Sequence, residues 1–325
     1  MRIGVVRMLP GLGDLLCAVP ALRALRRAEP GAQITFIGLP RGRWMHERFP
    51  SYIDHWSPCQ TCPGLPESEP DPVAHERFLR AARAARFDLA VQMHGDGRVS
   101  NPFTASLGAR SWGGLRPPGS RPSAALLDEL DEGRHEIERC GDALRAAGIG
   151  IADDDTALEF PIDEHDRADL QTLLGPVPSS LAVVHPGASC ADRRWPAASF
   201  ATVVDHLSTR ADRVVLTGSA DELGVTETVA AESTVAPLSV AGRTTVGSLA
   251  ALLAAARIVV CNDTGVAHLA GAVGTPSVTV FARSDRRRWR VRGECHREVH
   301  GPDCGWPEPD AVMAAADELL AGVGR

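Results

Sequence analysis

No lysine occurs among the 325 residues; all 34 basic side chains are arginine. A Schiff-base lysine, as used by pyridoxal-phosphate enzymes and class I aldolases, is therefore excluded, and so is a P-loop GxxxxGK[ST]. Any phosphate bound here is held by arginine, by hydroxyls or by backbone N–H groups. Long hydrophobic runs are missing too: nothing approaches the ~18 apolar residues that a bilayer span requires. The first apolar piece, from Ile3 to Gly13, is broken by Pro10 and Gly11 too early for a signal peptide. A cytoplasmic protein is expected, with membrane contact no more than peripheral.

What is present is ordinary for a globular chain: 44% hydrophobic and 23% charged residues, with length enough for about two domains. The net charge of −7 argues against nucleic-acid binding, although "RSDRRRWRVRG" (283–293) is locally basic. Eight cysteines in such a chain are expected to be reduced. Cys59, Cys62, Cys295 and Cys304, with His296 and His300, could together supply zinc ligands, but the second pair has the wrong spacing for a zinc knuckle. Small thiols in loops are the alternative.

The chain reads as two successive β/α halves. "RIGVVRM" (2–8) is a strand, "GLGD" (11–14) a glycine turn, and a helix runs from Asp14 to about Ala28, where Pro30 stops it. Strands at 33–38 and 88–93 and helices at 42–48, 73–87 and 135–149 complete the first half. A linker is expected between about 161 and 179. Strands at 181–187, 213–219, 257–263 and 276–281 then alternate with helices at 196–210, 221–232, 246–256 and 265–273, and an amphipathic helix at 309–322 closes the chain. Such alternation implies parallel sheets.

In open parallel sheets, ligands sit at the carboxyl ends of the strands, where helix N-termini offer unpaired N–H groups. The chemically informative turns fall there: "GLGD" (11–14), "HPGAS" (185–189), "TGSADE" (217–222) and "NDTGVAH" (262–268). A dinucleotide fingerprint fails at the first of them, because the third glycine position is Leu16 and no acid ends the second strand. Only Arg41 and Arg43 leave room for an NADP form. At "NDTGVAH", Thr264 and Gly265 open a helix, Asp263 is expected to cap it, and His268 lies one turn on, on the face of Thr264. A plain core histidine is the alternative for His268. The acidic run Asp153–Asp155 is read as a solvated stretch, not as a metal-binding DxD.

Taken jointly, "GLGDLLCAVPALRALRRAEP" (11–30), "VVHPGASCADRRWPAASFATVVDHL" (183–207), "GSADE" (218–222) and "NDTGVAHLAGAVGTPSVTVF" (262–281) resemble glycosyltransferase family 9, the family of the ADP-heptose:lipopolysaccharide heptosyltransferases. "QMHGDGRVSN" (92–101) is similar to its acceptor segment. The resemblance implies an α/β chain with the GT-B fold: two Rossmann-like domains facing a central cleft. The boundaries expected are 1–165 for the acceptor domain, 166–308 for the donor domain, and 309–325 for a helix packing back on the first domain. It also implies an inverting, metal-independent transfer from a nucleotide sugar, with no cofactor.

The family's general base falls on Asp14. A carboxylate at a helix N-terminus is favoured by the dipole and thereby made less basic; a plain helix cap is the alternative. The resemblance implies contacts of Ser189, Arg193, Thr264 and Gly265 with the donor diphosphate. Asp263 and His268 belong to the same turn, and Glu222, with Asp221 as the alternative, to the region of the nucleoside. Arg193 stands where the family has lysine, which keeps the charge and adds bidentate geometry. Acceptor contacts fall on Gly13, His94, Arg98 and Asn101, with Arg41, Arg43 and the 283–292 cluster as further basic candidates. The acceptor is expected to be a glycolipid or a small natural product, since the Arg- and Ala-rich composition points to a GC-rich genome. A monomer is expected. A nucleotide-sugar 2-epimerase of the same fold and a non-catalytic sugar-nucleotide sensor are the alternatives.

Overall fold

The computed structural model describes all residues except 66–69, 122–124, 153–155, 283 and 323–325, so the Asp153–Asp155 run lies outside the described residues. The chain forms two compact units, Met1–Ala157 and Leu158–Arg325. The first is built on strands β1 (Arg2–Val6), β2 (Gln33–Gly38), β3 (His55–Pro58), β4 (Leu89–Gln92), β5 (Ser111–Arg116) and β6 (Leu126–Glu129). The second has β7 (Leu181–His185), β8 (Arg213–Leu216), β9 (Leu238–Ser239), β10 (Ile258–Asn262), β11 (Ser277–Phe281) and β12 (His296–His300). The strand orders are β3-β2-β1-β4-β5-β6 and β12-β11-β10-β7-β8-β9, and the pairings are parallel.

Each sheet grows outward from its first strand on one side and then crosses to the other. The crossovers leave two switch points, between β1 and β4 and between β7 and β10, where the connections diverge and a crevice opens at the carboxyl ends. The central strands are covered on both faces and read as unbroken apolar runs: β7 "LAVVH" and β10 "IVVCN" are buried at every position. In the second unit Val184, Phe200, Val204, Leu216, Val260 and Val278 form the core.

Several expectations are corrected here. The boundary at 165/166 falls inside a helix, Glu164–Leu174, and the stretch read as a linker therefore belongs to the second unit. Asp163 caps that helix in a reciprocal box with Asp166, and Leu170 and Leu174 are buried. The closing helix, Pro309–Gly322, buries Val312, Ala316 and Leu319 in the second unit's own core. The single helix expected from Asp14 to Ala28 is two, Leu12–Leu16 and Val19–Ala28, the second opened by Pro20 at its first turn. The segment after Cys295, weighed as a metal source, is the edge strand β12, parallel to β11.

Candidate functional site

In the first unit, Gly11 caps the five-residue helix Leu12–Leu16, which places Gly13 and Asp14 within the helix's first turn rather than in a free turn before it. Gly13 is buried and Asp14 is half-buried. The Asp14 carboxylate lies against Gly11 so closely that a Cβ at Gly11 would collide with Oδ2. A side chain at this position would thus displace the carboxylate.

Beyond the adjacent strand β4, His94 is 6% exposed and its Nδ1 accepts the Met8 N–H at 3.2 Å. That bond fixes the neutral tautomer with the proton on Nε2. Burial, reinforced by the Arg7 guanidinium, pushes the imidazole down to about 4, so His94 is uncharged at neutral pH. Arg98 is 72% exposed and pairs with Asp96 at 3.3 Å, a geometry open to solvent. Asn101 is different: its amide donates to the Leu115 carbonyl at 3.0 Å and its Oδ1 is shielded without a partner. Asn101 therefore ties the loop to β5.

In the second unit, four of the expected residues converge at the β7/β10 switch point. Arg193 Nη2 donates to Ser189 Oγ at 2.5 Å, and Nη1 stands 3.9 Å from Asp263 Oδ2. Thr264 immediately precedes the nine-residue helix Gly265–Val273 and is its cap, accepting the Val266 N–H at 3.2 Å. Asp263 was expected in that role; it instead turns towards Arg193, because the chain at Thr264 is extended and aims its own hydroxyl at the helix. The Thr264 oxygen serves the helix while its proton can still be donated to an anion. Burial raises the Asp263 carboxyl, opposed by Ser284 and Arg193.

Glu222 belongs to a neighbouring cluster. Its Oε2 accepts the Ser219 N–H at 2.7 Å and lies 3.9 Å from His185 Nε2. Its carboxyl group lies over Gly187, where a Cβ would strike it. Burial depresses His185, whose Nδ1 meets Thr217 Oγ1 at 3.0 Å. His268 is 3% exposed and its ring stands edge-on to Trp289, 6.2 Å between centroids, set deeper than Ser189, Arg193 and Thr264.

Among the described residues no group of three or more His, Cys, Asp or Glu is placed to hold a metal ion. Cys59 and Cys62 are buried in the first unit's core, and burial pushes Cys59 up to about 11, away from the thiolate a metal needs. In β12, His296 Nδ1 pairs with Ser277 Oγ at 2.8 Å and burial lowers the ring to about 4.

Sequence reasoning missed the residues that hold these turns together. Asn262, fully buried, accepts the Trp195 N–H at 3.1 Å and donates to the Pro186 carbonyl at 2.8 Å, joining the turn after β7 to the turn after β10. In the first unit Arg7, 1% exposed, does the same between β1 and β4 and pairs with the buried Glu136 at 3.0 Å. The available signal was an amide, or a charge, at the last position of an apolar strand, where a hydrophobic residue would otherwise stand.

Known proteins resemble this chain in sequence and in fold. The family model described as Glycosyltransferase family 9 (heptosyltransferase) matches residues 76–303, well over half of the chain. Lipopolysaccharide heptosyltransferase 3 of Escherichia coli K12 is 31% identical over 163 residues, 49% of this chain and 47% of that protein. The chain thus spans about half the length of that curated relative. Lipopolysaccharide heptosyltransferase 1 of the same strain is 24% identical over 296 residues, 88% of this chain and 89% of its own length. Among solved structures, E. coli ADP-heptose lps heptosyltransferase II aligns with a TM-score of 0.80 at 20% identity, covering 100% of both chains, and the α/β architecture is accordingly GT-B-like. The chain belongs to glycosyltransferase family 9.

Proposed function

We propose that the protein transfers a heptose, or a closely related sugar, from an ADP-sugar to a hydroxyl group of a glycolipid or small-molecule acceptor, with inversion at the anomeric carbon and without a metal. The observation that carries the reading is the convergence of Arg193, Ser189 and Thr264 at the opening of the helix Gly265–Val273. A guanidinium, two hydroxyls and unpaired N–H groups are a set of donors for a diphosphate, and the helix N-terminus adds a partial positive charge. The ADP-sugar class is carried over from relatives named for ADP-heptose.

The chemistry follows from these groups. As the bond from the anomeric carbon to the diphosphate breaks, negative charge grows on the departing phosphate, and Arg193 with the helix N-terminus neutralises it. The acceptor oxygen must lose its proton as it attacks, and Asp14 takes that proton as general base. His94, neutral with its proton on Nε2, donates to an acceptor oxygen and orients it. Arg98 adds a solvent-facing positive charge suited to an anionic glycolipid. No helix among the described residues is long and apolar enough to cross a membrane; the enzyme works in the cytoplasm and meets a lipid acceptor peripherally.

Replacing Asp14 by Ala tests the base. Turnover should fall by roughly 10²–10⁴ while ADP affinity, measured by calorimetry, stays within about twofold; unchanged turnover sinks the assignment. In the same preparations ADP should raise the Tm more than UDP or GDP, and transfer should persist in EDTA.

A further inference from the structure

We propose that Arg7 is a positioning residue for Asp14: its guanidinium locks the backbone of the base to the turn carrying His94, and its charge keeps a cation beside the carboxylate. The proposal rests on the assignment of Asp14 as base. Arg7 follows directly on β1 and is the largest side chain buried to this degree. All five of its N–H donors are used. Nε donates to the Asp14 carbonyl at 2.8 Å and Nη2 to the same oxygen at 2.5 Å. The second Nη2 proton goes to Glu136 Oε1 at 3.0 Å, and Nη1 serves the Met93 carbonyl at 2.6 Å and Cys140 Sγ at 3.3 Å.

This arrangement exceeds what folding alone asks. Burying a cation with its carboxylate carries a desolvation cost that a well-packed apolar pair would avoid. An apolar residue at the end of a buried strand would satisfy the sheet. Only a planar fork reaches the base's turn, the residue before His94 and the helix Glu136–Ala146 at once; a lysine has three donors on a single point.

The electrostatic surroundings agree. Burial lowers the Arg7 affinity for its proton, and Cys140, Glu136, Asp14 and Cys17 reverse this, leaving it raised. Around Arg7 stand Glu136 and Cys140 on one helix, Asp14 and Cys17 on and just beyond another, and His94 after β4, itself facing Asp96. Arg7 pairs directly with Glu136, and its charge also acts on Asp14, whose backbone carbonyl it holds.

Two variants of the full chain test this. Arg7→Lys keeps the charge and loses the fork. Arg7→Met combined with Glu136→Gln removes the charge without leaving Glu136 buried and unpaired. Asp14 is followed by carboxyl ¹³C NMR, and ADP release from ADP-heptose is measured with heptose-deficient lipopolysaccharide as acceptor. Both variants should bind ADP within about twofold of the parent, since the nucleotide is held by the second unit. Both should lose kcat by about 10²-fold, the scale of a 1 Å misplacement, with little change in donor KM.

The double variant should also raise the Asp14 titration midpoint, and the acid limb of kcat/KM, by about one pH unit, whereas Arg7→Lys leaves both in place. Unshifted Asp14 titration in the double variant, parental kcat in either variant, or loss of ADP binding along with activity in both would overturn the proposal. Asp14→Ala run in parallel separates the two claims. Parental turnover there removes the base itself, while a normal loss there beside parental Arg7 variants removes only the role of Arg7.

Discussion

At the scale of single residues, the site is shaped as much by absent side chains as by present ones. Gly11 and Gly187 each give way to a carboxylate, of Asp14 and Glu222 respectively, and in both cases a Cβ would occupy the position of the carboxyl group. Neither glycine has positive φ, so the demand is for space and not for backbone freedom. Gly11→Ala should therefore act as a mild version of an Asp14 lesion. A fall in kcat of about tenfold is expected with unchanged ADP affinity, on the rule that small misplacements of a reacting group are costly. Steady-state kinetics beside calorimetry decide it, and a parental kcat would show that the carboxylate relocates without consequence.

At the scale of elements, two buried polar residues at strand ends perform the same service in the two sheets. Arg7 ties the turns after β1 and β4; Asn262 ties those after β7 and β10. Removing Asn262 strands the Trp195 N–H and the Pro186 carbonyl in a dry interior. Asn262→Ala should cost about 2–4 kcal/mol, one to two unsatisfied groups, and, on the proposed function, weaken ADP binding at least tenfold, because Pro186–Ser189 and Arg193 lose their anchor to the turn that opens the helix Gly265–Val273. Denaturant unfolding and calorimetry together check this; a loss of stability with intact ADP affinity would make Asn262 structural only.

The elements also separate what the sequence discloses from what it hides. β1, β2, β4, β7, β8, β10 and β11 were legible because sheet centres are apolar on both faces. β3 "HWSP", β6 "LLDE", β9 "LS" and β12 "HREVH" were not, since an edge strand is partly wet and carries no apolar run. β5 was hidden by Gly113 and Gly114. The first has no room for a Cβ against Leu126 and Ala147, and the second is at φ +149 beside Gln92.

At the scale of the whole molecule, both units hold buried or half-buried histidines whose surroundings resist protonation, His94 in the first and His185 and His296 in the second. His94 in the first and His296 in the second are lowered from the ordinary 6.5 to about 4. The unfolded chain therefore binds the proton first, and stability falls as pH drops from 6.5 towards 4. Each unit should lose about 2–3 kcal/mol across that window. Asp54, Asp205 and Asp317, held below the usual carboxylate range despite some burial, act only at lower pH. Urea unfolding at pH 7, 5.5 and 4.5 should show the decline, and His94→Gln should flatten it for the first unit; a slope unchanged in that variant would assign it elsewhere.

The sequence by itself determined the alternation of strand and helix, and hence two parallel sheets. It also determined the four turns at their carboxyl ends, and that no lysine serves any of them, because these properties are local in periodicity and residue type. The tertiary structure decided the rest. Whether a polar strand joins an edge depends on a neighbour's unpaired N–H and C=O groups. Which turns are clamped together depends on bonds such as Arg7 to Glu136, 129 residues apart, and Asn262 to Trp195, 67 apart. No local pattern specifies such partners; they exist only once the parallel crossovers have brought distant strand ends side by side.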